Sequence, residues 1–322
     1  MIDATAGAVF EGFCAERSKS AVSITTVVDL EATMDADLDT LCTVVYCTAD
    51  DLLPEPRANA RRVCTDAEIA TLCVAQAIMG IPSDRRFLKV ARKRLSHLFP
   101  VIPSQPTYFK RRRRLVDQLE WLMGVFASQS PGFHDELLLI DSTPVECARS
   151  RETVKRSALA DAADYGWCAS HSRFFWGFRL HALFALDGTP RAVTLASPKR
   201  DDREVGLTLL ERCVRDGGET VVGDKNYAGR DFAQAVSDLD ATIVRPRRKD
   251  EPDHGPHLAP IRQRIESIFS TCKDLLTLER HGARTLAGLR ERILARFGCL
   301  AAAITFNHQL GCPSRALVNY SA

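Results

Sequence analysis

The chain has 322 residues, 45% of them hydrophobic and 26% charged, a balance that supports a buried core and excludes a disordered or fibrous polymer. Its 43 Lys and Arg against 41 Asp and Glu leave a net charge of +2, which selects no partner by itself. The longest apolar run, Leu300 to Ile304 with its flanks, falls short of the roughly 18 residues a membrane span needs.

The opening residues Ile2-Asp3-Ala4-Thr5 lack a basic-then-apolar leader pattern. Eleven cysteines are scattered without a Cys-x-x-Cys, which fits free thiols in a reducing cytosol. A cytoplasmic protein with no membrane partner is expected. Residues 1–26 have weak periodicity and read as a loosely ordered extension, and residues 27–130 read as helical. Thr65-Asp66-Ala67-Glu68 is a capping box, and Ile69, Leu72, Cys73, Ala75, Ile78 and Met79 follow at helical spacing until Gly80 and Pro82. Ser83-Asp84 starts a second helix that ends before Pro100. Pro106 precedes a third, with Leu115, Leu119, Leu122 and Val125 as its apolar stripe. The five cations Lys110 to Arg114 open that third helix, and Lys110, Arg111, Arg112 and Arg113 are candidates to track a DNA backbone. The helices around 65–100 suit a helix-turn-helix, with a solvated helix face as the alternative.

The pattern changes near residue 131. Leu137 to Asp141 is an apolar strand ending on an acid; Gly177 to Leu186 is a second strand. Asp187-Gly188 is a hairpin turn, with Arg191 to Ala196 as the returning strand. A helix over Asp202 to Val214, an apolar strand Thr220 to Asp224 ending on an acid, a helix Arg230 to Leu239 and a strand Ala241 to Val244 follow. The last helices are expected over Ile261 to Leu278 and Leu286 to Phe306. This order makes a mixed α/β sheet with flanking helices, preceded by an all-α N-terminal domain, and it is the element order of the ribonuclease H-like fold. The expected domains are 27–130, helical and DNA-binding, and 131–311, catalytic, with 312–322 as a tail.

Three acids stand out by position. Asp141 and Asp224 each close an apolar strand, where open α/β sheets gather functional groups. Glu266 borders the apolar face formed by Ile265, Ile268, Phe269 and Cys272 on a helix. Three convergent carboxylates suit phosphoryl transfer. Magnesium prefers oxygen ligands, and two such ions about 3.5–4 Å apart activate an attacking oxygen and stabilise a leaving one. An aspartate after a strand is also a common turn or capping residue, so spacing alone leaves both readings open.

At these residues the sequence resembles the DDE transposases of bacterial insertion sequences, and among them the insertion-sequence 982 family. The features are Ile140-Asp141-Ser142-Thr143-Pro144, Trp176-Gly177-Phe178-Arg179-Leu180-His181, Gly223-Asp224-Lys225-Asn226-Tyr227, and Arg262 with Glu266 and Lys273 at the family spacing. The family pattern has a Tyr three residues before the Arg; Ala259 stands there. The resemblance covers about residues 40–311. It implies that Asp141, Asp224 and Glu266 are the catalytic and metal-binding triad, holding two Mg2+ ions for which Mn2+ substitutes. It places Lys225, Tyr227, Arg262 and Lys273 near DNA. It further implies double-stranded DNA as partner, both terminal inverted repeats and target, a homodimer on paired ends, and a nucleoid-associated bacterial protein. The activity implied is cleavage at the element's end and joining of the 3′ hydroxyl to target DNA. Alternatives are a ribonuclease H-like nuclease that cuts without joining, a catalytically dead DNA-binding remnant and, more distantly, a metal-free glycosidase-like carboxylate pair.

The remaining polar residues read as structural. His181 fits a satisfied sheet histidine. Asp201, Asp202 and Glu204 sit at a helix start, as caps do. His254 and His257 fall among prolines and glycine, as in a loop. Trp167, Phe174, Phe175 and Trp176, near Arg173 and Arg179, suit either packing or stacking on unpaired bases. Arg245, Arg247, Arg248 and Lys249 read as a solvated loop.

Overall fold

Local signals in the sequence set the first helices of the computed structural model, which describes residues 36–54, 63–168, 172–214, 217–247 and 258–320. The expected extension over 1–26, His254, His257, Arg248 and Lys249 lie outside the described residues. Helix α1 (Leu38–Leu52) is capped by Asp37, whose side chain accepts from Thr40 N at 2.8 Å. The capping box of α2 (Asp66–Ile78) is formed: Glu68 N donates to Thr65 Oγ1 at 3.0 Å, and Thr65 N donates to the Glu68 carboxylate at 2.6 Å. Residues Ala67 and Ile69 to Ile78 of α2 are buried, and the helix stops at Gly80, whose φ of +61° suits glycine. Thr65→Ala removes one arm of that box and is expected to cost about 1 kcal/mol, lowering the melting temperature by roughly 1–2 °C. A thermal melt indistinguishable from wild type would show that water replaces the cap at no cost.

Helix α3 (Asp84–Arg94) begins at the N-cap Ser83, as expected. The single helix expected after Pro106 is two, α4 (Gln105–Arg112) and α5 (Val116–Ser128). The basic run therefore closes a helix instead of opening one. Lys110, Arg111 and Arg112 occupy the last turn of α4, where cations complement the C-terminal carbonyls. The apolar stripe of α5 is Leu119, Leu122, Met123, Phe126 and Ala127; Val125 is only half-buried.

The sheet has six strands. Strand β1 (Leu137–Ala148) is flanked by β3 (Arg173–Ala185), antiparallel to it, and by β5 (Thr220–Val222), parallel to it; β6 (Thr242–Val244) lies parallel beyond β5. Strands β2 (Asp164–Cys168) and β4 (Pro190–Ala196) both pair with the outer edge of β3, one beyond the other. The Asp187-Gly188 turn forms as expected, with Gly188 at φ +103°. Strand β1 runs on past Asp141, through Pro144. It is paired with β5 only over Leu137–Leu139, so the proline falls where one edge is open and a ladder tolerates it.

Side chains alternate across β1 and β3 and meet different helices. Leu138, Ile140, Leu183 and Val221 pack under α7 (Asp202–Cys213) and α8 (Arg230–Asp238), against Leu209, Leu210, Phe232 and Val236. On the other face Phe184 stacks on Phe297 of α10 (Leu286–Gln309) and meets the edge of Phe269 of α9 (Ala259–Asp274). A short helix, α6 (Arg151–Lys155), follows β1. Helix α10 is buried along most of its length and also supports α5, where Thr305 Oγ1 donates to Phe126 O at 2.7 Å. Residues 36–322 form one compact unit. Among the described residues no helix is long and apolar enough to cross a membrane, and no disulfide joins two described cysteines.

Candidate active site

Two of the three expected acids come together, Asp141 within β1 just past its pairing with β5 and Asp224 just after the end of β5. Leu139 of β1 pairs with Val222 of β5, and Asp141 and Asp224 each stand two residues further on. By alternation Asp141 shares the face of Leu139, toward α9, while Ile140 and Ser142 face α7. The two carboxylates line a narrow crevice with Gly223, Arg262 and Ile265, the last two from α9.

Each carboxylate is fixed through one oxygen. Ser142 N donates to Asp141 Oδ1 at 2.7 Å, and Asn226 N donates to Asp224 Oδ1 at 2.8 Å. The second oxygen of each accepts no hydrogen bond from a described residue. Burial raises the Asp141 carboxyl to about 7. The Ser142 N–H and the Arg262 charge pull it down, and the nearby Asp224 and Asp202 charges push it up. Asp224 is raised as well, chiefly by burial and also by Asp202, with the Asn226 N–H and Arg262 opposing. Arg262 is the cation on α9 that acts on both acids.

Glu266 is not brought into this crevice. It lies one turn beyond Arg262 on α9 and is exposed. No three His, Cys, Asp or Glu side chains among the described residues form a metal-holding group. The other expected site residues scatter. Lys225 is exposed at the turn after Asp224. Lys273 pairs with Glu279 at 3.5 Å. Tyr227, expected near DNA, is 2% exposed; its ring fills the space that a Cβ at Gly206 or Gly223 would invade, at 2.8 and 2.7 Å. The Tyr227 hydroxyl has no hydrogen-bond partner, and burial raises its pKa well above the ordinary value.

The basic run of α4 divides by helix geometry. Lys110 is exposed, Arg113 stacks over Phe109 at 5.3 Å, and Arg111 pairs with Asp66 and donates to Cys64 O at 2.7 Å. Arg112 faces inward one turn after buried Tyr108 and is 1% exposed, so it presents no charge to solvent.

Two readings from sequence are corrected. His181 is fully buried, yet neither ring nitrogen has a hydrogen-bond partner, so it is not satisfied. Burial lowers its pKa to about 4, with Asp202 opposing, and the ring is neutral at neutral pH. Asp201 is the cap of α7, accepting from Arg203 N at 2.8 Å, but Asp202 is not a cap. Its carboxylate turns inward to Arg179 and Asn226.

The mixed α/β sheet thus sets two carboxylates side by side, one within β1 and one just after β5, facing Arg262 of α9. Residues 132–302, more than half of the chain, match the family described as the transposase DDE domain, and the chain belongs to that family. It is a DNA transposase of the DDE type. No curated protein matches the chain. Solved structures similar to it include two transposase complexes. One is a pre-cleavage Mos1 transpososome, at 13% identity over 89% of this chain and 94% of that one, with a TM-score of 0.23. The other is the Mos1 mariner paired end complex with Mn, at 10% identity over 93% of each chain, with a TM-score of 0.24.

Proposed function

We propose that Asp141 and Asp224 hold divalent cations, Mg2+ in the first place and Mn2+ as a substitute, and that Glu266 completes the ligand set. The observation that carries this is the pair of carboxylates in one crevice, each tethered through one oxygen, with no described residue donating to the other. Hard oxygen donors of this kind suit magnesium. Bound there, two ions would supply activation of an attacking oxygen and stabilisation of a leaving one. The chain's own residues prepare the site. The Ser142 and Asn226 N–H groups orient the acids, and Arg262 offsets their charge. Glu266 would join from the exposed turn beside Arg262. The sheet order, with β1 between antiparallel β3 and parallel β5, β2 and β4 each antiparallel to β3 on its outer edge, and β6 parallel beyond β5, supports a ribonuclease H-like fold.

In this reading the protein cleaves the ends of an element and joins the 3′ hydroxyl to target DNA, as a homodimer on paired ends. Its relatives are the insertion-sequence 982 transposases. Helices over 27–130 serve DNA binding and 131–311 serve catalysis. Lys110, Arg113, Lys225, Arg262 and Lys273 are the cations placed to meet phosphates. The test is strand transfer with a pre-cleaved end of the element's terminal repeat in low salt, comparing wild type with Glu266→Gln. Magnesium-dependent joining that falls at least about a hundredfold in the variant is expected, the loss of several kcal/mol of transition-state stabilisation. Cleavage without joining would favour a nuclease. Tight binding without chemistry in either metal would overturn the catalytic reading.

A further inference from the structure

Asp202 belongs to none of the expected site residues, yet it is the middle link of a hydrogen-bonded chain that joins the two crevice carboxylates. From Asp141, the chain passes to Ser142, whose backbone N–H holds Asp141 Oδ1. Arg179 Nη1 donates to Ser142 Oγ at 3.2 Å and to both oxygens of Asp202, at 3.0 and 2.8 Å. Asn226 Nδ2 donates to Asp202 Oδ2 at 3.1 Å, and its backbone N–H holds Asp224 Oδ1. Three elements distant in sequence, β1, the first turn of α7 and the turn after β5, are tied through one carboxylate.

The surroundings of Asp202 are those of an interior link. Its side chain is 11% exposed, and the fully buried His181 places Nε2 3.8 Å from Oδ1. Because Asp201 caps the helix, Asp202 is not needed for that purpose. Both of its oxygens are engaged by donors, unlike the open oxygens of Asp141 and Asp224. A charged acceptor gripping a guanidinium makes shorter and stronger bonds than a neutral one. Outer partners of metal-holding carboxylates commonly change metal affinity or activity by about 10–100-fold when removed.

We infer that Asp202 is a positioning residue for the metal site: through Arg179 and Ser142 on one side and Asn226 on the other, it sets the separation and orientation of Asp141 and Asp224. This rests on the reading that those two carboxylates hold divalent cations. The effect is on how tightly the cations bind, with DNA affinity unchanged.

The experiment uses the full chain without DNA and follows Mn2+ binding by calorimetry, alongside the Mn2+ concentration that half-restores joining of a pre-cleaved end. Wild type, Asp141→Asn, Asp202→Asn and Glu204→Gln are compared; Glu204 is an exposed acid on the same helix, paired among the described residues with Arg200. Asp202→Asn is expected to raise the Mn2+ midpoint about tenfold or more in both readouts, and Glu204→Gln to leave it unchanged. If wild type binds no Mn2+, the metal reading itself fails. If wild type binds, Asp141→Asn does not, and Asp202→Asn matches wild type, the positioning role alone is overturned. Should Asp202→Asn not fold, Asn226→Ala cuts the chain at an exposed link. It is expected to raise the midpoint severalfold, and an unchanged midpoint overturns the inference. Tight Mn2+ binding by Asp202→Cys would mark residue 202 as a direct ligand and would likewise overturn it.

Discussion

Asp141→Asn is expected to abolish DNA joining and, in the metal-free protein at pH 8, to raise the melting temperature. The two effects have one cause. Asp141 is withdrawn from water beside Asp224, and its pKa is raised from an ordinary 3.8 to about 7, by burial first and the neighbouring charge second. For an acid whose folded value lies above its unfolded value, the folded state binds the proton more tightly. Stability is then highest below pH 4 and falls as pH rises from about 4 to about 7. Above pH 7 the ionised carboxylate sits in the crevice at full cost, roughly 2–4 kcal/mol. Asparagine keeps the shape and cannot ionise, so the variant escapes that cost. The gap in melting temperature between variant and wild type should open between pH 4 and pH 7 in the presence of a chelator, and parallel profiles would refute the buried-charge argument. Divalent cation should reverse the order, stabilising wild type and leaving the variant unmoved. Joining should fall about a thousandfold or more, because the remaining carboxylate cannot hold the ligand geometry alone.

That site was partly legible in the sequence, and the limits are physical. Leu137 to Asp141 and Thr220 to Asp224 could be read because an apolar run ending on an acid is a local signal, and parallel pairing of the two runs places their ends together. The Asp187-Gly188 hairpin and the Thr65 capping box are equally local. Strand β2 escaped because Asp164–Cys168 is short, pairs on one side only and leaves Tyr165 and Trp167 exposed. The break between α4 and α5 carries no side-chain cap, so nothing marked it. Asp202 was misread because only one of two adjacent acids can cap a helix, and the partner that claims the other, Arg179, is 23 residues away. Arg112 was misread because five cations in a row look alike; only its position one turn after Tyr108 shows that it faces the interior.

Removing Asp84 is expected to cost more stability than any surface change in the protein. Its Oδ1 accepts from Arg112 at 2.7 Å, from Arg292 at 2.8 Å and from Gln76 at 3.1 Å, and the residue is 8% exposed. Glu291 lies 3.1 Å from Arg112 Nε, off the line of a good hydrogen bond, and burial raises its pKa. Arg296, also buried, spends its donors on Leu276 O, Arg292 O and Thr277 Oγ1. Two guanidinium groups, Arg112 and Arg292, thus share the Asp84 carboxylate inside the fold, and Arg112 also lies beside Glu291. Asp84→Ala leaves Arg112 and Arg292 without their common acceptor, and stranding buried charge costs about 3–5 kcal/mol. For a chain of this size that is a fall of roughly 4–8 °C in melting temperature. A loss under about 1 kcal/mol in a denaturant titration would show that water enters and solvates the arginines. The network links α2, α3 and α4 to α10, and α10 in turn stacks Phe297 on Phe184 of the central sheet. The basic end of α4 and β3, the strand paired with the one that carries Asp141, are therefore held to one helix by buried contacts. Loosening Asp84 should weaken joining near the melting temperature while leaving the metal midpoint of the folded protein unchanged, which separates this framework from the Asp202 chain.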